Sequence, residues 1–392
     1  MARSYRYISS DGHFESPPEL WTHRVPAQYR DRAPRRIKLA NGNDALITEG
    51  RPLTYGGTSL FGGQDPKKFN PAVMDFENTP GCGDAHQRLR EMDEDGIDAE
   101  VLFALGVRNT SIKDKAAFIA IIKGFNDYFA EEYCSVDPDR LIGVAVLPNK
   151  GVEDDIAEMT RCKEMGYKTV WLSGFPSGNS FPSEADDRFW AAAVDLDMPL
   201  VVHTSFPRQD GGREAALMKY PMAPVGEEAP PTDYVQRMSR HGIPHSGAVD
   251  AALFVMSGVF DRYPKLKINW AENNIGWIPY YLEQMDLAFD VNRHWAERQL
   301  GLKPPKRRPS EYLRENAYWG FFDDPIGVKL RGEIGVDHIM WSTDFPHIVT
   351  RWPNSIKVWD AQSQGVPEHD KWMMVAGTAI DFFQLDHVEA AN

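Results

Sequence analysis

Five residues join a metal-binding or proton-transferring side chain to a place at the end of an apolar run. The first two lie in Ser10-Asp11-Gly12-His13-Phe14-Glu15. Residues two apart on a strand face the same side, so Asp11, His13 and Glu15 can point one way. A carboxylate and an imidazole converging there make half of a divalent-metal site. A polar turn capped by Asp11 is the plainer alternative. His203 closes Val201-Val202-His203, and a buried imidazole must find partners, whether a metal or core hydrogen bonds. Glu272 follows Ile268-Asn269-Trp270-Ala271 and is flanked by Trp270 and Ile275. Enclosure raises a carboxyl pKa and suits it to acid/base work, whereas a surface strand end needs no such role. Asp344 lies in Trp341-Ser342-Thr343-Asp344-Phe345-Pro346-His347, where it can ligate a metal, hold a metal-bound water or cap a helix.

These residues need elements that bring them together. Short apolar runs predict strands over Tyr5–Ser9, Ala99–Leu105, Leu141–Leu147, Thr169–Leu172, Pro199–His203, Leu266–Ala271 and His338–Ser342. Most lack polar alternation, which suits parallel strands buried on both faces. Helical spacing separates them over Asp114–Val136, Val152–Met165, Ser183–Asp195, Asp250–Phe260 and Ile275–Trp295. Repeated strand, helix, strand predicts an α/β fold with a parallel sheet. Neither a dinucleotide-binding nor a P-loop glycine motif appears, so a (β/α)8 TIM barrel is the better reading. Asp11, His13, His203, Glu272 and Asp344 then converge at the C-terminal mouth of the barrel. Two long insertions, about 31–83 and 205–247, sit on that same face. Pro367–Leu385 reads as a last helix packed on the outside.

The chain has 392 residues and a formal net charge of -14. Its 42% hydrophobic content supports a large core, read here as a single domain over 1–392. The acidic balance argues against nucleic acid, and the basic clusters Arg30–Lys38 and Lys303–Arg308 read as solvated loops. No apolar run approaches the roughly 20 residues of a membrane span. Cys82, Cys134 and Cys162 are widely spaced, as reduced thiols in a cytoplasmic protein would be.

Taken together, these motifs resemble the amidohydrolase superfamily. The narrower likeness is to the amidohydrolase-related branch that contains aminocarboxymuconate-semialdehyde, γ-resorcylate and 5-carboxyvanillate decarboxylases. It rests on Ser257 to Ile268, Val201-Val202-His203, Ser342 to His347, and Asp11-Gly12-His13 followed by Pro17 to Trp21. The resemblance implies a barrel binding one divalent ion, zinc or manganese, through Asp11, His13, His203 and Asp344, with Glu15 in reserve. It implies a small aromatic or unsaturated acid as substrate, decarboxylated by a carboxy-lyase with Glu272 and Asp344 as catalytic groups. Metal-dependent hydrolysis or hydration, and a non-catalytic binding barrel, are the alternatives. One departure stands out: the named decarboxylases carry a His where this chain has Glu272. Candidate substrate contacts are Arg108, Phe206, His245 and Trp319, with Ser205–Gly247 as a lid. Ile275–Trp295 is expected to join a homodimer or higher homo-oligomer, as relatives often do.

Overall fold

The computed structural model of the chain describes residues 3–57, 59–107, 112–206, 247–301 and 303–388. Its strands are β1 (Ile8–His13), β2 (Arg35–Lys38), β3 (Asp44–Ile47), β4 (Ala99–Phe103), β5 (Leu141–Gly143), β6 (Ala145–Val146), β7 (Val170–Trp171), β8 (Leu200–His203), β9 (Ile268–Ala271), β10 (Ala317–Phe321) and β11 (Ile339–Trp341). β1-β4-β5 form one parallel sheet and β6 to β11 another. Val144 links them, donating to the Leu102 carbonyl at 3.0 Å, while Ala145 donates to Thr169. Across the other seam, Asp344 N donates to the Asp11 carbonyl at 2.9 Å and Ser10 Oγ donates to Trp341 at 2.9 Å. With β5 and β6 as one stave, the wall closes into the expected (β/α)8 barrel.

Alternation along the staves separates two buried clusters. Val101, Phe103, Ile142, Val144, Val201, Ala271, Tyr318 and Met340 fill the barrel interior. Their neighbours Leu102, Leu200, Val202, Ile268, Trp270, Trp319 and Trp341 face the surrounding helices. Those helices start where a side chain satisfies their free N–H groups. Asp84 accepts from Gln87 N ahead of Ala85–Asp95, and Asp114 accepts from Ala116 and Ala117 N ahead of Lys115–Tyr128.

Four expectations change. The first strand runs Ile8–His13 rather than Tyr5–Ser9, because Ser9 and Ser10 are buried with their hydroxyls bonded. β10 is a stave that apolar run length did not reveal, lying directly after the helix Pro309–Asn316. The expected C-terminal helical run is present over 368–383, but it does more than pack on the outside: Phe382 and Phe383 join the interior cluster, and Phe382 packs on Tyr318 at 4.7 Å. The first insertion is also structured, with β2 and β3 forming an antiparallel hairpin. Most of the second insertion lies outside the described residues.

Candidate metal centre

Asp11 and His13 end β1, Asp11 within a register shift between Ser9 and Gly12 and His13 just past it, opposite Phe103. The other site groups come at or just after strand ends: His203 closes β8, Glu272 follows β9, and Asp344 lies past β11. Glu272 (φ 56) and Asp344 (φ 51) adopt the left-handed backbone region, as does Thr204 (φ 54) beside His203. Such residues cost about 1–3 kcal/mol each and cluster where a fold aims functional side chains.

The geometry brings all five expected residues together. His13 Nε2 lies 2.7 Å from Asp344 Oδ1 and 3.5 Å from Asp11 Oδ1. His203 Nε2 is 3.8 Å from Asp11 Oδ2 and 3.4 Å from Glu272 Oε2. The His13 and His203 rings meet edge to face, 5.0 Å apart, above Phe103. Asp11 and His13 are fully buried. Yet neither Asp11 carboxylate oxygen nor His203 Nε2 has a hydrogen-bond partner among the described residues. A buried carboxylate left without donors is costly unless a cation completes it. Ligand atoms of Asp11, His13 and His203 all lie within 4.8 Å of one another, and those of His13, Asp344 and His347 form a second such group. Two imidazoles with two carboxylates are a mixed N/O donor set consistent with one divalent ion, zinc or manganese.

The electrostatics point the same way. Burial, then Asp344 and Glu272, push the Asp11 carboxyl well above its usual range. Burial and Asp344 push Glu272 up to about 8. Asp344 stays well below the usual carboxylate range despite its burial, because His347 and His13 hold its charged form. Burial and neighbouring imidazoles lower His13 to about 4 and hold His203 well below its ordinary value, so both are neutral and ready to ligate.

One site residue carried no role in the sequence reading. His347 stacks on His13 at 3.6 Å and 11°. Its Nδ1 lies 3.4 Å from Asp344 and its Nε2 3.0 Å from Glu15. These carboxylates hold it well above the ordinary histidine value despite burial. Its signal was present as the last residue of the Ser342–His347 motif. Glu15, the reserve ligand, is thereby assigned to His347.

Arg108 and His245 lie outside the described residues, as do Arg208 and Arg213 of the expected lid. Phe206 and Trp319 are placed differently from expectation. Phe206 is buried against Phe175 at 4.8 Å, and Trp319 is stacked on Trp270 at 5.2 Å and packed on Trp277. Trp319 lies in the layer between sheet and helices because it occupies the outward register of β10, and Phe206 shares its buried cluster. A groove of about 890 Å³ among the outer helices, lined by Phe181, Met256 and Phe289, contains none of the five converging groups.

Comparison with known proteins agrees with this architecture. A family model described as Amidohydrolase matches residues 13–385. The chain is 28% identical over 312 residues to a γ-resorcylate decarboxylase of Rhodococcus jostii, covering 76% of this chain and 87% of that one. The structure of an amidohydrolase from Mycobacterium avium subsp. paratuberculosis superposes with a TM-score of 0.71 at 22% identity, covering 97% of this chain and 100% of the other. A manganese complex of 5-carboxyvanillate decarboxylase from Novosphingobium aromaticivorans superposes with a TM-score of 0.65 at 19% identity, covering 98% and 99%.

Proposed function

Because the chain belongs to the amidohydrolase family, we propose that it is a single-domain, metal-dependent decarboxylase of a small aromatic acid. Asp11, His13, His203 and Asp344 would hold one divalent ion, manganese or zinc. The observation that carries this reading is the fully buried, unpartnered Asp11 carboxylate, ringed by His13 and His203 with Glu272 beside them. The substrate class is supported by relatives that are γ-resorcylate decarboxylases, and manganese by its presence in the 5-carboxyvanillate decarboxylase complex.

A bound divalent ion supplies fixed positive charge and Lewis acidity for an anionic substrate. Asp344, held ionised by two imidazoles, serves as a ligand rather than a proton donor. Glu272 is the donor. Its carboxyl sits at the mouth with 24% of the side chain exposed, and in the metal-free chain burial and Asp344 push it up to about 8. It gives its proton to the ring carbon bearing the carboxylate. The bond to the carboxyl carbon then breaks, its electron pair returns to the ring, and carbon dioxide leaves. Water restores the proton to Glu272. His347, clamped between Asp344 and Glu15, orients Asp344 and covers one face of His13.

The same reading extends to a cytoplasmic homodimer. Tyr280, Leu287, Val291 and Trp295 form an exposed apolar stripe on the helix Ile278–Leu300, and the three cysteines are free. The decisive test is incubation of manganese-loaded protein with 2,6-dihydroxybenzoate and 5-carboxyvanillate in heavy water. Release of carbon dioxide with deuterium at the vacated ring carbon is expected. No carbon dioxide from either acid, with an aromatic lactone or amide instead cleaved and ¹⁸O from labelled water found in its carboxylate, would replace decarboxylation by hydrolysis.

A further inference from the structure

Outside the ligand set, the helix Ala85–Asp95 sends one arginine into the wall of the site. Arg88 is 1% exposed, and its partner Glu100 on β4 is 2% exposed. Arg88 Nε donates to Glu100 Oε2 at 2.6 Å. The other two nitrogens serve the backbone of the ligand-bearing segments. Nη1 donates to the His13 carbonyl at 3.1 Å, and Nη2 donates to the Phe345 carbonyl at 3.0 Å. His13 N donates to that same Phe345 carbonyl at 2.8 Å. One planar guanidinium therefore joins the residue ending the first ligand pair to the residue following Asp344. It also lies over the Phe345 ring, 4.6 Å from its centre.

Two further observations tie this clamp to the site. Gly12 separates Asp11 from His13, and a Cβ there would stand 2.9 Å from Arg88 Nη2. The glycine of the Asp-Gly-His motif thus leaves the space that the guanidinium fills. Glu100 also reaches the far seam. Thr343 Oγ1 donates to Glu100 Oε1 at 3.5 Å, and Thr343 N donates to Ser9 Oγ at 2.9 Å. Desolvating an arginine and a glutamate is expensive, and an apolar pair would hold the helix at least as well. The arrangement is accounted for if the guanidinium fork sets a spacing that apolar contact cannot specify.

We propose that Arg88 is a positioning residue that fixes the distance between the Asp11/His13 pair and Asp344, and so sets affinity for the divalent ion. The proposal rests on the metal-site reading above. Lysine keeps the charge beside Glu100 but offers one nitrogen, which cannot serve two carbonyls and a carboxylate in the same plane.

The test titrates Mn²⁺ into the metal-free full chain by calorimetry, with the Mn²⁺ electron paramagnetic resonance line shape recorded alongside. The proteins are wild type, Arg88→Lys, Gly12→Ala, and the charge-free double variant Arg88→Met/Glu100→Gln. Supporting groups of metal ligands are typically worth about 10–100-fold in affinity. A loss of that size is expected in each variant that melts as a folded chain, with an altered line shape. A merely structural role would lower the melting temperature of the metal-free protein and leave affinity alone. Folded variants binding Mn²⁺ within about twofold of wild type overturn the positioning role while leaving the metal site standing. Wild type that binds no divalent ion overturns both. If Arg88→Lys does not fold, the double variant and Gly12→Ala decide by the same criterion.

Discussion

Replacing Glu272 by Gln should make the metal-free protein more stable and the loaded enzyme nearly inactive. Burial and the charge of Asp344 raise this carboxyl from 4.5 to about 8. The folded chain therefore keeps a proton that the unfolded chain has released. Stability is highest below the unfolded value, falls as pH rises between 4.5 and about 8, and is flat again above that. At neutral pH the unfolded carboxyl is ionised and the folded one is not, a difference of about 3 kcal/mol at roughly 1.4 kcal/mol per unit. Solvent reaches part of the side chain, so that figure is an upper bound. Glutamine has no proton to hold, so Glu272→Gln should gain up to this amount near neutrality and lose the slope. Activity should fall by about 10²–10⁴-fold, the usual worth of a placed general acid. Urea unfolding of chelator-treated protein at about pH 5, 7 and 9 reads the first effect. Carbon dioxide release reads the second. An unchanged pH slope would show that Glu272 is ionised in the fold, and retained activity would remove it as the donor.

Asp11→Asn and His203→Ala should each lose the ion. Elemental analysis is expected to find one divalent metal per wild-type chain and a small fraction of that in either variant. Because burial and like charge raise Asp11 well above its usual range in the metal-free protein, metal binding should release protons, the more so at lower pH. Calorimetry in two buffers of different ionisation enthalpy would expose this, and identical heats would contradict it. Asp324 accepts from Ile275 N, Gly276 N and Gly327 N at 2.7, 2.7 and 2.8 Å, pinning the turn that follows Glu272. Asp324→Ala should cost about 2 kcal/mol or more in denaturant unfolding by leaving these donors unpaired, with Asn recovering part of it.

The site was more legible than the elements that carry it. Asp11, His13, His203, Glu272 and Asp344 each follow or end a run of strand-forming residues. That position is visible in sequence, because parallel staves are continuously apolar and stop abruptly. β10 was hidden because Ala317-Tyr318-Trp319-Gly320-Phe321 abuts the helix Pro309–Asn316 with no turn signal between them. Without that stave Trp319 had no register, and its ring faces the helices instead of the mouth. β1 was ended too early because Ser10, Asp11 and Gly12, following Ser9, look like a turn. Only the cross-barrel bonds of the two hydroxyls show how such residues can be buried in a strand. His347 was passed over because stacking and ion-pair partners are tertiary facts: Glu15 and His347 are 332 positions apart. Arg88 gave no signal at all, since a helical arginine is ordinarily solvated.

The departure at Glu272 now has a physical account. A third carboxylate beside Asp11 and Asp344 looks unfavourable, and in the metal-free chain it is, which is why burial and like charge raise both Asp11 and Glu272. With a divalent ion held as proposed, ionised Asp11 and Asp344 would cancel its charge. The cation of His347 is likewise matched by Glu15, 3.0 Å away. What Glu272 then experiences is the enclosure itself, and enclosure already contributes most to its shift. A charge-neutral metal cluster would leave that enclosure to hold the proton on the carboxyl. Glutamic acid would therefore be a workable donor in this mouth, with two of the neighbouring carboxylates spent on the cation.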